Sequence, residues 1–318
     1  MRRFSTFLAG IVLAVLAYVA LGGVVVAVAS PLKMRGELID IGGGRRMHLI
    51  CEGQKGAAPT VLFEAGAFGF SADWGVVQER AVARGWRTCS YDRAGLGLSD
   101  PGPEPRDGLA VVGDLEQLLK AAHEDGPFII VGHSMAGLYL WLFANRNPEQ
   151  VKGLVFVDAT TPQASETPQG RNFVQQFTRA SRLAAAGAGA GLYAPLAGTW
   201  FGDKIGLTEP ASAEKRRAFA SARHNHWAAV EVGQWLHAAD QALATGPLDP
   251  DWPVAVVMAG GNRRPLVGNS LRAQPAHHAR QGFVDVVAGA GHATLLGTRY
   301  ADAVVKAIDE VRQAASKP

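Results

Sequence analysis

Three hydrophobic patterns divide the chain. From Phe7 to Ala29 it runs 23 residues without a charge, and about 20 apolar residues suffice to cross a bilayer as a helix. No polar stripe interrupts this run, which argues against an ordinary buried core helix. From Glu37 onward short apolar runs recur. Glu37–Ile41 and Arg46–Glu52 read as strands joined by Gly42-Gly43-Gly44, a stretch suited to a hairpin. Thr60–Glu64, Arg87–Tyr91, Phe128–Val131, Gly153–Val157, Val254–Met258 and Gly282–Val287 follow, and continuous runs of this kind suit strands buried on both faces, as in a parallel sheet. Helical spacing falls between most of them, for example Asp114, Leu115, Leu118, Leu119 and Ala122. The interval from Thr160 to Pro250 is Ala- and Gly-rich, with helical stretches at Asn172–Ala186 and Ala213–Ala244. The chain is therefore expected to be an α/β protein with one open, mostly parallel eight-stranded sheet and helices on both faces. Residues 1–35 form an amino-terminal segment, residues 36–318 the body, and residues 160–250 a helical cap inserted into it.

Charge adds a topology. Arg2, Arg3 and the terminal amine lie before the apolar segment, whereas Lys33 and Arg35 behind it are offset by Glu37 and Asp40. The positive-inside rule then places the amino terminus in the cytoplasm and the body outside, anchored through residues 7–29. A cleaved signal peptide, secreting the body, is the alternative, because Ala27-Val28-Ala29 resembles a small-x-small cleavage site. The whole chain carries +3. Four of the positive charges precede Glu37, leaving the rest at −1, and such a body has no electrostatic footprint for a nucleic-acid partner. With 48% hydrophobic and 19% charged residues, it is not a disordered chain. Two cysteines exclude a disulfide framework and a four-thiolate zinc site.

Candidate chemistry begins at Ser134. Phe128-Ile129-Ile130-Val131 is a predicted strand, Gly132-His133-Ser134-Met135-Ala136-Gly137 a tight turn, and Leu138–Ala144 a helix. This strand–turn–helix context is what a nucleophile elbow needs: a serine on a strained bend with Oγ exposed. From about Gly36 to the carboxyl end the chain resembles the α/β-hydrolase family. The small residue two after the serine is Ala136, where the family usually has glycine, and Gly137 follows. Serine needs a base. Of nine histidines, His292 stands apart in Gly289-Ala290-Gly291-His292, directly after the last predicted strand, where the family places its base. His133 is assigned structural support. His224, His226, His277 and His278 are expected to face solvent, and no metal site is expected.

The resemblance implies an acid after Val254–Met258, yet Ala259-Gly260-Gly261-Asn262-Arg263-Arg264 contains no carboxylate. Some relatives place the acid one strand earlier, and Asp158 sits at that strand end, so Ser134, His292 and Asp158 are the expected catalytic residues. Asn262, or no side chain at all, is the alternative partner of the histidine. The backbone N–H of Met135 supplies one oxyanion donor by position. Glu64-Ala65-Gly66-Ala67-Phe68-Gly69 resembles the family's oxyanion loop, which makes Ala67 N–H the second. Tyr91-Asp92-Arg93-Ala94-Gly95-Leu96-Gly97-Leu98-Ser99 matches a further family signature, with Asp92 and Arg93 expected to tie loops together. In this family the strands carrying Cys51 and Cys89 are neighbours, which implies a Cys51–Cys89 disulfide.

The resemblance implies a serine hydrolase, carboxylesterase-like, without cofactor or metal, acting on a small apolar acyl substrate. Phe173, Phe177, Leu192, Trp200, Phe201 and Trp227 are possible pocket lining. Dehalogenases and epoxide hydrolases of the same fold use an aspartate nucleophile, and Ser134 argues against them. Peptidase, thioesterase and acyltransferase chemistry stay open. So does a binding module in which a vestigial triad lines a ligand pocket.

Overall fold

A computed structural model of the chain describes residues 2–28, 34–261 and 268–316. The strands are β1 (Glu37–Asp40), β2 (Arg46–Glu52), β3 (Thr60–Glu64), β4 (Thr88–Tyr91), β5 (Phe128–His133), β6 (Val151–Val157), β7 (Val254–Ala259) and β8 (Gly282–Val287). They form one sheet in the order β1-β2-β4-β3-β5-β6-β7-β8. β1 and β2 pair antiparallel, as do β2 and β4, and every other pairing is parallel. Residues alternate across the sheet with period two. Leu62, Phe128, Ile130, Leu154 and Phe156 join the core on one face, and Val61, Phe63, Ile129, Val131, Val155 and Val157 join the core on the other. Apolar residues at consecutive positions are thereby all buried.

Helices cover both faces. α2 (Gly75–Ala83) and α11 (Ala301–Ala315) pack on one side, where Val304, Val305, Ile308 and Val311 give α11 its apolar stripe. On the other side lie α3 (Gly108–Ala121) and α4 (Ala136–Arg146). The Asp107 side chain caps α3 by accepting from Ala110 N at 2.9 Å. α4 buries nine consecutive residues from Ala136 to Ala144, because it packs against the sheet, against α3 and against the helix Trp235–Ala244. Between β6 and β7 the chain inserts α5 (Pro162–Glu166), α6 (Pro168–Gly189), α7 (Ala211–Ala220), α8 (Ala222–Gly233) and α9 (Trp235–Ala244).

The structure corrects three expectations. The long helix expected over Ala213–Ala244 is three helices. Ser221 turns to extended backbone and its hydroxyl caps α8 by accepting from His224 N at 3.2 Å, and a second break falls at Gln234. β8, read as buried on both faces, is an edge strand, and Val284 and Val286, which share one of its faces, are exposed. The transmembrane span expected over residues 7–29 is not borne out. A helix does form there, α1 (Arg2–Val28), but among the described residues no helix is long and apolar enough to cross a membrane. One side of α1 instead meets the insertion, where Tyr18 Oη donates to Leu192 O at 3.2 Å and a Cβ added to Gly22 would stand 2.7 Å from Pro195 Cδ. The side chains of Arg2, Arg3, Ala27 and Val28, and all of Ala29 and Lys33, lie outside the described residues, so the Ala27-Val28-Ala29 motif is not described as a unit.

Cys51 and Cys89 face each other in the β2–β4 register, with Cα atoms 4.1 Å apart, and are joined by a disulfide. Their sequence separation is 38, for which chain entropy gives a stabilisation of roughly 4 kcal/mol. Protein isolated without reductant is expected to show no titratable thiol. Reduction should lower the free energy of urea unfolding by roughly that amount, and an unchanged midpoint after complete reduction would refute the constraint.

Candidate active site

Ser134 follows β5 with φ of +59°, a backbone region that costs a residue with a Cβ of order 1–3 kcal/mol. The bend is held on both sides. Ser134 N donates to Val157 O at 3.2 Å, while Ser134 O accepts from Thr160 N at 2.9 Å and Gly137 N at 3.2 Å. The departure at Ala136 has a steric explanation. Ala136 is fully buried without strain, whereas a Cβ at Gly137 would come within 2.0 Å of Thr160 O. The glycine that close approach demands stands one residue later.

Asp158 follows β6, the strand beside β5, also with positive φ (+41°). His292 lies in the loop after β8. Their side chains meet, with His292 Nδ1 2.6 Å from Asp158 Oδ2. Asp158 Oδ1 accepts from Ala259 N at 3.2 Å and Arg272 Nη1 at 3.4 Å. Burial pushes the Asp158 carboxyl up, but the bond and charge of His292, then Arg272, hold it below the ordinary carboxylate range. Arg272, on α10 (Gly268–His278), had no signal in the sequence, because its approach to Asp158 spans 114 positions. Asn262, the alternative partner, lies outside the described residues.

His133 is buried beside the serine. Its ring centroid is 4.4 Å from that of His292, and its Nε2 lies 3.0 Å from His292 O. Burial, then the neighbouring His292, pushes its imidazole down to about 3. A neutral His133 therefore braces the His292 loop.

The loop after β3 presses on the elbow: a Cβ at Gly66 would stand 2.8 Å from Ser134 Cβ. Neither Ala67 N–H nor Met135 N–H donates to an acceptor among the described residues. Arg93, fully buried, holds the loop from below, donating to Ala65 O at 2.5 Å and Gly66 O at 2.9 Å. The same guanidinium pairs with Glu64 on β3 at 2.7 Å and Glu231 on α8 at 2.9 Å. Asp92 ties three segments through Ser71 N, Leu98 N and His48 Nδ1, at 3.0, 2.8 and 2.9 Å. Glu231 and Lys215 act across long sequence distances, and nothing near them in the sequence marks them.

A cavity of about 460 Å³ opens over Ser134 and His292. Of the expected lining residues, Phe173, Phe177 and Phe201 face it and Leu192, Trp200 and Trp227 do not. Trp227 is drawn away because its ring fills the space a side chain at Gly95 would take. Phe68, Tyr193, Phe219 and Trp235 complete the aromatic wall. His224, expected at the surface, is buried and also lines the cavity; His226, His277 and His278 are exposed. His224 Nδ1 accepts from Gly97 N at 3.1 Å, which leaves Nε2 protonated and donating to Phe68 O at 3.2 Å. Burial, then Lys215, pushes it down to about 3. Among the described residues, Cys51, Cys89 and Glu124 bring three potential metal-ligand atoms together, but both sulfurs belong to the disulfide.

The chain belongs to the α/β-hydrolase fold family, whose model matches residues 59–297. Probable transporter efuK from Hormonema carpetanum is 38% identical over 129 residues, 39% of this chain and 18% of that protein. Epoxide hydrolase 2 from Siraitia grosvenorii is 33% identical over 105 residues, 31% of this chain and 32% of that protein. The chain thus spans a third or less of these curated relatives. A thermophilic esterase from Thermogutta terrifontis shares the fold, with a TM-score of 0.63 and 18% identity, over 89% of this chain and 100% of its own.

The buried histidines predict an acid limb of instability. In the unfolded chain His133 and His224 take up protons near pH 6.5, whereas folded they stay neutral down to about pH 3. Between those values the unfolded state binds more protons, so their contribution is full above pH 6.5 and is lost as pH falls. His48 runs the other way: burial pushes it down, but its bond to Asp92 raises it overall. Its contribution is constant on the acid limb and declines only above pH 6.5. Urea unfolding between pH 4 and 6 should lose up to about 1.4 kcal/mol per pH unit for each of His133 and His224. His224→Gln should remove one histidine's share of that slope, and an unchanged slope would show that His224 is not held neutral.

Proposed function

We propose that this protein is a serine hydrolase that cleaves a carboxylic ester through an acyl-enzyme. The observation that carries the reading is the 2.6 Å contact between His292 and Asp158, with Ser134 and His292 lining the same largely aromatic cavity. Ser134 Oγ attacks the ester carbonyl while His292 takes its proton through Nε2. Asp158 holds Nδ1–H and stabilises the imidazolium. Ala67 N–H and Met135 N–H receive the charge that develops on the carbonyl oxygen. Collapse expels the alcohol, protonated by His292, and water then releases the acid by the same steps in reverse order.

The substrate we infer is an ester with an apolar group of modest size, since Phe68, Phe173, Phe177, Tyr193, Phe219 and Trp235 form the walls and the pocket must hold the whole acyl group. The mechanism uses no cofactor or metal. An epoxide hydrolase of this fold attacks with a carboxylate, and the elbow here carries a serine, which favours ester chemistry. The Cys51–Cys89 disulfide supports a body located in an oxidising, extracytoplasmic compartment.

A fluorophosphonate should label the protein, and Ser134→Ala should abolish labelling. On short-chain p-nitrophenyl esters, Ser134→Ala and His292→Ala should each lower kcat by about 10⁴-fold or more, and Asp158→Asn by about 10³- to 10⁴-fold. Near wild-type turnover in Asp158→Asn would remove it from the triad, and a loss confined to Asn262→Ala would put Asn262 there instead. Labelling without ester hydrolysis would redirect the reading to peptide or acyl-transfer chemistry. Absence of both would leave a ligand-binding protein.

A further inference from the structure

The oxyanion loop is held from the insertion by a chain of hydrogen bonds through two peptide groups. Phe68 O accepts from Lys215 Nζ on α7 at 3.1 Å and from His224 Nε2 on α8 at 3.2 Å. The N–H of that same peptide, on Gly69, donates to Gly66 O at 3.0 Å. Gly66 O belongs to the peptide whose N–H is that of Ala67, and it also accepts from Arg93 Nη2 at 2.9 Å. Phe68 itself has φ of +58°, a conformation that persists only where its surroundings impose it.

We propose that Lys215 and His224 are positioning residues for the oxyanion hole, acting through the Phe68–Gly69 and Gly66–Ala67 peptides on the Ala67 N–H. This rests on the serine-hydrolase reading above. A donor bonded to a carbonyl fixes the plane of its peptide and polarises it, so the N–H on the opposite side becomes a stronger donor in a fixed direction. Two such peptides in series begin at a cation, the strongest donor type. Lys215 is oriented by both oxygens of Asp73, at 2.7 and 2.9 Å. His224 is oriented by Gly97 N, which fixes the tautomer. The insertion thus does more than roof the cavity: it sets the geometry in which charge on the substrate oxygen is received.

The test is the kinetics of four full-length variants on p-nitrophenyl butyrate, each checked by thermal melting. They are His224→Leu, His224→Gln, Lys215→Arg, and Lys215→Met made together with Asp73→Asn so that no carboxylate is left unpaired. His224→Leu and the double variant should lower kcat about tenfold, below the loss from deleting an oxyanion donor outright, with KM within about twofold. Binding of a trifluoromethyl ketone, whose serine adduct carries an oxyanion, should weaken by the same factor as kcat. His224→Gln, whose amide can donate to Phe68 O and accept from Gly97 N, and Lys215→Arg should stay within about threefold of wild type. Should His224→Leu not fold, His224→Asn, too short to reach both partners, takes its place with the same expected loss. A folded variant that keeps wild-type kcat, or raises KM without weakening the ketone, overturns the proposal and leaves the hydrolase reading intact. A wild-type protein that neither hydrolyses esters nor takes the fluorophosphonate label overturns both.

Discussion

The central strands of the sheet are buried on both faces, and the rest of the molecule follows from that constraint. Strand interiors such as Val61-Leu62-Phe63 and Ile129-Ile130-Val131 alternate between two apolar cores, so a charged side chain placed among them would lose its water without gaining a partner. Polar chemistry is confined to positions where strands end. Ser134 and Asp158 follow adjacent parallel strands, β5 and β6, and His292 follows the edge strand β8. Because parallel strands end on the same side, three residues far apart in the chain arrive at one edge. Asp158, after β6 rather than β7, keeps that logic, since its N–H bonds Val257 O on the neighbouring strand at 2.6 Å.

The buried Arg93 guanidinium is closely paired. Arg93 meets two carboxylates and two carbonyls, and Tyr91 Oη donates to Glu64. Burial raises the Glu64 carboxyl in spite of its neighbours, as expected where two acids share one guanidinium. Breaking such a cluster leaves an unpaired charge, which costs far more than the cluster's net worth. Its position is informative: Glu64 ends a central strand, Glu231 belongs to the insertion, and Arg93 bridges them under the loop after β3. The sheet and the insertion are registered against each other beside the loop that presses on Ser134.

Local strain gathers at the same edge. Phe68, Ser134 and Asp158 all adopt positive φ, and each sits in the loop above a strand end. Gly66 and Gly137 lack the Cβ atoms that would otherwise strike Ser134 Cβ and Thr160 O. The surrounding hydrogen bonds hold these conformations, in keeping with strain stored at functional sites.

The amino-acid sequence by itself determined the eight strands, the burial of the central ones on two faces, the serine bend and the loop carrying His292. Each of these is written locally, in runs of consecutive apolar residues or in small residues flanking a turn. It also drew attention to Asp158, through the family resemblance together with its place directly after a strand, and the folded chain sets that carboxylate 2.6 Å from His292 Nδ1. The tertiary structure decided what depends on distant partners. The approach of Arg272 to Asp158, the burial of His224 between Gly97 and Phe68, the withdrawal of Trp227 onto Gly95 and the break of one long helical pattern into α7, α8 and α9 have no local signature. The apolar run at residues 7–29 shows the same limit: hydropathy registers the run, while the contacts of Tyr18 and Gly22 with the insertion appear only in the folded chain. Periodicity reports whether a residue is buried, and packing alone selects the partner it is buried against.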